Sequence, residues 1–309
     1  MNEDQSGLLA ELCRENNIRY FTGYSLSRFT TFRTGGAASV FILPDLVEKS
    51  LLLQKFITHH QINSLILGGG SNILVSDKGF DGAIIKLEYP EKIDILDKHG
   101  NTLIFRVSAN ARSAHIAKKI CDLGYAGLEF LTTIPGTIGG AIVQNAGCYG
   151  SEIKDFIRSV EISRQGKMQK ISSGDLNFSY RHSIFKEDTG CFIHSGIFMV
   201  QKGEKPEIQN KVNTYKNNRI LSQPKNKKNA GSIFRNPPNQ KAWQLVRDSG
   251  LSGKQTGMAQ ISSDHCNFII NLGGASSSDI YQLIKTAQKT VYEQFQILLE
   301  PEIVFVGTF

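Results

Sequence analysis

Three short stretches, far apart in the chain, carry side chains able to do polar chemistry. Tyr180-Arg181-His182-Ser183-Ile184-Phe185-Lys186 sets an arginine in an aromatic, β-like context. Gly231-Ser232-Ile233-Phe234-Arg235-Asn236-Pro237 puts a serine directly after a glycine in a turn, and Leu299-Glu300-Pro301-Glu302-Ile303 places a carboxylate at the entry to the last strand. A cation, a hydroxyl and a carboxylate are what a site needs to hold an anion and move a proton. Each also has an ordinary explanation. Arg181 reads equally as a surface strand residue, Ser232 as a turn residue bonding its own backbone, and Glu302 as an edge-strand charge.

Two glycine-rich stretches stand apart from these. In Ser64–Val75 an apolar run enters Gly68-Gly69-Gly70-Ser71-Asn72 and a second apolar run, Ile73-Leu74-Val75, leaves it. Glycines have no side chain to keep a ligand away and reach backbone angles that other residues avoid. Successive N–H groups in such a turn can converge on an anion such as a diphosphate. A dinucleotide fingerprint needs G-x-G-x-x-G between a strand and a helix. Here Ile73 stands where the third glycine belongs, and the exit reads as a strand. No P-loop pattern occurs. A tight hairpin without a ligand is the competing reading. The second stretch, Ile134-Pro135-Gly136-Thr137-Ile138-Gly139-Gly140-Ala141, runs on to Asn145-Ala146-Gly147-Cys148-Tyr149-Gly150. Small residues at this density imply backbone packed closely against a flat group or another chain segment.

The elements that must position these residues follow from the pattern. A helix is expected over residues 1–20, a β-prone stretch over Arg28–Ala38, and an amphipathic helix opening at Pro44-Asp45. Strands are expected at Ser64–Leu67, Ile73–Val75 and Asp81–Ile85, and a helix that Ser113 caps and Gly124 closes. Residues 156–200 read mostly as β. Beyond them come a helix capped by Asn239, a long helix after Ser277-Ser278 with Ile280, Leu283, Ile284, Ala287 and Val291 at helical spacing, and a final strand over Glu302–Val306.

Composition narrows the classes. The chain has 309 residues, 40% hydrophobic and 20% charged, with length for two domains. The first residues lack a secretory pattern, and no apolar run approaches the roughly 20 residues that span a membrane, so a cytoplasmic protein is expected. Five scattered cysteines without a C-x-x-C pair argue against a disulfide framework or a zinc site. His59 and His60 point about 100° apart on a helix, so no metal is expected. Between Gln201 and Lys228 eight Lys or Arg face Glu204 and Glu207, 8 − 2 = +6 of the formal +7. With Tyr215 the only aromatic there, a small polyanion suits this field better than a nucleic acid.

Together the motifs form a pattern. The chain resembles the UDP-N-acetylenolpyruvoylglucosamine reductase (MurB) family from about Thr30 to Gly307, through Thr31-Phe32-Arg33-Thr34-Gly35-Gly36, Gly68–Asn72, Ile134–Ala141 with Asn145-Ala146-Gly147, Tyr180–Lys186, Gly231–Pro237 and Pro301-Glu302. The resemblance implies an α+β fold, with a two-lobed FAD-binding region of the vanillyl-alcohol-oxidase/PCMH type over residues 1–205 (lobes 20–88 and 89–205). A smaller α/β substrate lobe follows over 206–309. It implies non-covalent FAD, NADPH as hydride donor and UDP-N-acetylglucosamine enolpyruvate as substrate, in a cytoplasmic monomer with neither nucleic acid nor membrane as partner.

By the same resemblance Arg181, Ser232 and Glu302 are catalytic. Arg33, Thr34, Gly68, Gly69, Gly70, Ser71, Asn72, Pro135, Gly136, Thr137, Gly139, Gly140 and Ala141 contact FAD, and Tyr180, Arg219 and Asn236 contact the nucleotide substrate or NADPH. Arg181 would stabilise the enolate-like transition state beside the substrate carboxylate, Glu302 would assist by hydrogen bonding, and Ser232 would protonate the carbanion. Three positions depart from the family pattern: Arg235 for lysine, Val304 for arginine and Cys266 for a small residue. The short stretch between Tyr180 and Gly231 matches the subgroup without the extra tyrosine-bearing loop. The alternatives are a related FAD-dependent oxidase of an alcohol or sugar, and a nucleotide- or RNA-binding module built on the basic segment.

Overall fold

The computed structural model describes residues 1, 3–224 and 228–309. Lys225 and Lys227 of the basic run lie outside the described residues. The chain opens with α1 (Glu3–Glu15), β1 (Arg19–Ser25), β2 (Ala37–Leu43) and α2 (Val47–His59). It continues through β3 (Ser64–Ile66), β4 (Ile73–Val75), β5 (Phe80–Ile85), β6 (Ile93–His99), β7 (Thr102–Ser108), α3 (Ser113–Asp122) and β8 (Tyr125–Ala126). Then follow α4 (Ile138–Gln144), β9 (Gly147–Cys148), β10 (Ser151–Glu152), β11 (Ile157–Arg164), β12 (Lys167–Ser172), β13 (Phe192–Lys202) and α5 (Lys205–Ser222). The last elements are α6 (Ala242–Asp248), β14 (Gln255–Thr256), β15 (Ala259–Ile261), β16 (Ile269–Asn271), α7 (Ser277–Phe295) and β17 (Val304–Val306).

These elements form two compact units, and neither is continuous in sequence. The first comprises Met1–Thr22, Val40–Gly69 and Gly82–Asn218; the second comprises Gly23–Ser39, Gly70–Asp81 and Arg219–Phe309. A single cut at 205/206 is therefore not what the structure has. The reason lies in hydrogen bonding: the strand leaving the triple glycine, β4, pairs in parallel with the last strand, β17 (Ile73 with Val304, Val75 with Val306). That pairing draws residues 70–81 into the carboxy-terminal unit. The basic helix α5 does not end at the boundary but runs through it.

In the first unit β3 pairs in parallel with β5, and an antiparallel sheet runs β12-β11-β13-β7-β6, with β8 on β13. Phe105, Val107, Val160, Ile162 and Phe198 alternate inward from this sheet and pack with Ile116, Ile120, Ile138 and Ile142 of α3 and α4. A second cluster gathers Leu9 and Cys13 of α1, Leu53 and Ile57 of α2, and Val40, Ile42, Ala83 and Ile85 of the strands. Burial pushes the thiol of Cys13, like those of Cys121 and Cys191, up to about 12, so these three are packing groups. Gln54 of α2 ties helix to hairpin, donating to Ser163 O (2.8 Å) and Gly190 O (2.7 Å) and accepting from Gly166 N (3.0 Å).

The second unit closes around Ile280, Leu283, Ile284, Ala287 and Val291 of α7, the helical stripe read from the sequence, against Val246, Leu251, Ala259, Ile261, Phe32 and Leu74. Its helix starts differ from the expected ones. Ser277 and Ser278, expected to precede α7, are its first residues; Ser276 caps it through a capping box with Asp279, and the Asp77 carboxylate accepts from the N–H groups of Ser277 (2.8 Å) and Ser278 (3.0 Å). Burial opposes ionisation of Asp77, but those donors outweigh it and hold its carboxyl below the usual range. Asn239 does not cap α6: Lys241 precedes the helix, and Asn236 Oδ1 accepts from Ala242 N (3.1 Å). Arg28 and Phe29, at the start of the stretch expected to be β-prone, belong to a 3₁₀ turn over Leu26–Phe29.

Candidate active site

In the first unit the two glycine stretches meet backbone to backbone. A Cβ on Gly69 would lie 2.6 Å from Gly136 Cα, and one on Gly68 would lie 2.8 Å from Thr137 Oγ1. Only glycine permits this approach, which is the physical meaning of the small-residue density in the sequence. The second stretch is fixed from the other side by Gly139 N donating to Ala109 O (2.7 Å), Ile138 N to Ala111 O (2.9 Å) and Ser113 N to Gly136 O (3.1 Å). Thr137 caps α4, its Oγ1 accepting from Gly140 N at 3.3 Å. Pro135 and Gly140 are exposed, whereas Ala141 is a buried member of the core and packs against protein.

Arg181 sits in the same unit, at φ +56°, a conformation uncommon for a residue with a side chain. Its Nη2 donates to Gly147 O at 2.7 Å, its Nη1 lies 3.9 Å from Glu152 Oε1, and its guanidinium covers the exposed Tyr180 ring at 5.0 Å. Gly147 and Glu152 are themselves held by Asn145, at the left-handed end of α4: Asn145 Nδ2 donates to Glu152 Oε2 (3.0 Å) and Ser179 O (2.9 Å), and Oδ1 accepts from Lys154 N (3.0 Å). The Asn145-Ala146-Gly147 motif is thus the bracket that aims the arginine.

In the second unit the triple glycine ends at Gly70, whose φ is +63° and whose Cβ would overlap Phe29 O. Gly70 O accepts from Thr31 N (3.0 Å), which joins the loop to the early Thr31–Gly36 motif. Arg33, at φ +60°, donates to Arg28 O (2.6 Å), and Thr34 Oγ1 is buried with no hydrogen-bond partner among the described residues. Asn72 reaches the far end of the chain: its Nδ2 donates to Glu302 O (3.1 Å), and its carbonyl accepts from Val304 N (3.0 Å).

The serine and glutamate segments are also joined. Glu302 N donates to Ile233 O (2.7 Å), Arg235 N to Glu300 O (2.9 Å), and Phe234 pairs with Pro301. Buried Asn267 clamps the serine segment from the opposite side, with Ile233 N on its carbonyl (2.8 Å), Phe234 N on its Oδ1 (2.9 Å) and its Nδ2 on Phe234 O (2.8 Å). Ser232, half-buried after Gly231 at φ +78°, makes no hydrogen bond through its hydroxyl among the described residues. Backbone on both sides of it is fixed while the hydroxyl is left for another partner. Asn267 and Asn145 had no assigned role in the sequence reading, because an amide clamping backbone tens of residues away leaves no periodic trace. Asn236 is exposed and spends only its Oδ1 on the start of α6, and half-buried Arg219 lies on the last turn of α5.

Residues 223–306 match the family described as UDP-N-acetylenolpyruvoylglucosamine reductase, C-terminal domain, and residues 38–172 match one described as FAD binding domain. The chain is 39% identical over 299 residues to the UDP-N-acetylenolpyruvoylglucosamine reductase of Caldicellulosiruptor bescii, covering 96% of this chain and 93% of that one. The chain belongs to the UDP-N-acetylenolpyruvoylglucosamine reductase family. A family member from Orientia tsutsugamushi is 41% identical over 296 residues, covering 94% of this chain and 95% of its own length. The solved structure of the reductase from Thermus caldophilus superposes with a TM-score of 0.80 at 29% identity, covering 94% of this chain and 99% of that one. For this family FAD is the implied cofactor, and the residues present fit it. The Gly69–Gly136 approach gives a surface a flat or anionic group can reach, and Asn110 Oδ1 and Ser113 Oγ are orphaned polar atoms in the adjoining turn. Among the described residues no group of three or more His, Cys, Asp and Glu is placed to hold a metal, and no helix is long and apolar enough to cross a membrane.

Proposed function

We propose that this protein is an FAD-dependent reductase that uses NADPH to reduce the enolpyruvyl group of UDP-N-acetylglucosamine enolpyruvate, giving UDP-N-acetylmuramate. Near full-length family membership is the observation that carries this reading. The chemistry that FAD would supply, held by the glycine stretches, is relay of a hydride from NADPH to the terminal methylene carbon of the substrate. Arg181, oriented by Gly147 and Glu152, is the cation assigned to the substrate carboxylate, where negative charge grows as the hydride adds. Glu302 is assigned a hydrogen bond to the same developing enolate. Ser232 gives its hydroxyl proton to the adjacent carbon, which ends the carbanion, and recovers a proton from solvent. The sum is NADPH plus one proton plus the enolpyruvyl ether, going to NADP⁺ and the saturated lactyl ether.

The glycine stretches, with Arg33, Thr34, Ser71, Asn72 and Pro135, are assigned to the cofactor, and Tyr180, Arg219 and Asn236 to the nucleotide. We further propose a cytoplasmic monomer, the place and form in which these small anionic ligands meet it. The test is the visible spectrum of the purified protein, recorded before and after anaerobic NADPH and again after the enolpyruvyl sugar. Flavin absorbance that bleaches with NADPH and returns with the sugar is the expected result. Return only with oxygen would favour the oxidase, and a colourless protein that FAD does not reconstitute would end the flavoenzyme reading.

A further inference from the structure

Beside the backbone contact of the two glycine stretches, within the first unit, two cationic residues lie near enough for their charges to couple. Lys86 follows β5 directly, and its Nζ donates to the carbonyl of Gly68, the first glycine of the triple, at 3.4 Å. That is one long hydrogen bond for a half-buried ammonium with three donors. The carboxylate nearest in charge is Glu88, and it is engaged by Arg19. Arg112 immediately precedes α3 and pairs through its backbone with Thr137, the residue against which Gly68 packs. Its positive charge is felt at the Lys86 ammonium, adding to burial in holding that group below the usual lysine range. Among the described residues neither Lys86 nor Arg112 forms an ion pair.

Two cations that repel across a partly buried site are unfavourable alone, and an anion between them reverses the sign of the local energy. The turn carrying Arg112 also holds the orphaned polar atoms of Asn110 and Ser113, and Ser113 is fully buried. The backbone approach of Gly69 to Gly136 admits a close group but supplies no formal charge. Lys86 and Arg112 supply it.

We infer that Lys86 and Arg112 grip the diphosphate of the bound flavin dinucleotide and so set the preference for FAD over flavins without phosphate. This rests on the flavoenzyme reading above. The first role is affinity: a side-chain cation on a phosphate oxygen adds charge to hydrogen bonds that glycine N–H groups make as neutral donors. The second is selection. Riboflavin has nothing to place between the two cations, so their mutual repulsion remains.

The experiment is a titration of the full-length, deflavinated protein with FAD and with riboflavin, followed by flavin fluorescence over a range of NaCl concentrations. Wild type is compared with Lys86→Met, Arg112→Met, the double variant and the charge-keeping Lys86→Arg. FAD affinity is expected to fall about tenfold in each methionine variant and further in the double variant. The salt dependence of FAD binding should flatten in the double variant, while riboflavin binding is unchanged and Lys86→Arg stays near wild type. FAD affinity within twofold of wild type in the double variant, with an unchanged salt slope, overturns the inference. Equal loss for riboflavin and FAD overturns it too, moving the cations to the flavin ring. If Lys86→Met does not fold, Arg112→Met at its exposed position carries the same comparison. Failure of the wild type to bind FAD at all is a separate result, which ends the flavoenzyme reading instead.

Discussion

The glycine contact of the first unit and the serine–glutamate segment of the second solve the same problem by opposite means. Both must fix backbone to within a fraction of an ångström. The first does so by omission, since Gly68 and Gly69 lie against Gly136 and Thr137 where a Cβ would not fit. The second does so by addition, since the side chains of Asn267 and Asn72 bond backbone of the Ser232 and Glu302 segments. A surface made by omission suits a large flat or anionic group that must come close. A segment stitched by amides holds a single hydroxyl still and leaves it unspent.

Substitutions test that contrast, and the largest effect is expected at the hydroxyl itself. Ser232→Ala should leave stability unchanged, because its Oγ has no partner among the described residues, while reoxidation by the enolpyruvyl sugar slows by about 10²–10⁴. Flavin reduction by NADPH should keep its rate; stopped-flow absorbance separates the two. A fall in both half-reactions would give Ser232 a structural role.

Omission is tested by refilling it. Gly69→Ala should cost roughly 3 kcal/mol and lower the FAD content, because its Cβ meets backbone that cannot give way. Gly140→Ala is the control in the same motif: its Cβ meets only Thr137 Oγ1 at 3.5 Å in a helix, so stability should hold or rise by up to about 1 kcal/mol. Urea titration with flavin absorbance reads both, and equal losses would erase the distinction drawn here.

The first unit also carries a pH sensitivity through buried His194. Its Nδ1 pairs with Tyr89 Oη (2.9 Å), its Nε2 pairs with Ser163 Oγ (2.8 Å), and burial pushes it down to about 4. The neutral ring is favoured in the fold, and the unfolded chain takes up the proton first. Stability is therefore full above about pH 6.5 and falls as pH drops toward 4, by at most about 3 kcal/mol. The urea midpoint against pH, wild type beside His194→Gln, should show that slope removed in the variant.

Asn267→Ala removes two buried side-chain bonds to Phe234 and should cost about 2 kcal/mol, reducing the second half-reaction more than flavin reduction. The smallest change is expected at Ser113→Ala. Its hydroxyl is buried and has no partner among the described residues, so the stability of the FAD-free protein should move by less than about 0.5 kcal/mol.

What the sequence determined by itself was local. Helical apolar spacing located α7, and residues 156–200, read mostly as β, hold β11, β12 and most of β13, because period and burial are properties of one segment at a time. A strand after Gly70–Asn72 was legible because Ile73-Leu74-Val75 is too apolar and β-branched to open a surface helix. The Thr31, Gly68, Pro135, Tyr180, Ser232 and Glu302 motifs were legible as an ordered set, and they pointed to the family before any geometry.

Tertiary structure alone decided what holds them. Nothing in Asn145, Asn267 or Asp77 marks them locally, since their side chains satisfy backbone donors and acceptors up to 201 residues away without regard to periodicity. The discontinuous units follow from β4 finding β17 across most of the chain. Nothing in the sequence singles out Lys86 or Arg112. Their approach to one glycine contact exists only once β5 and the turn before α3 are packed, because charge acts through space and not along the chain.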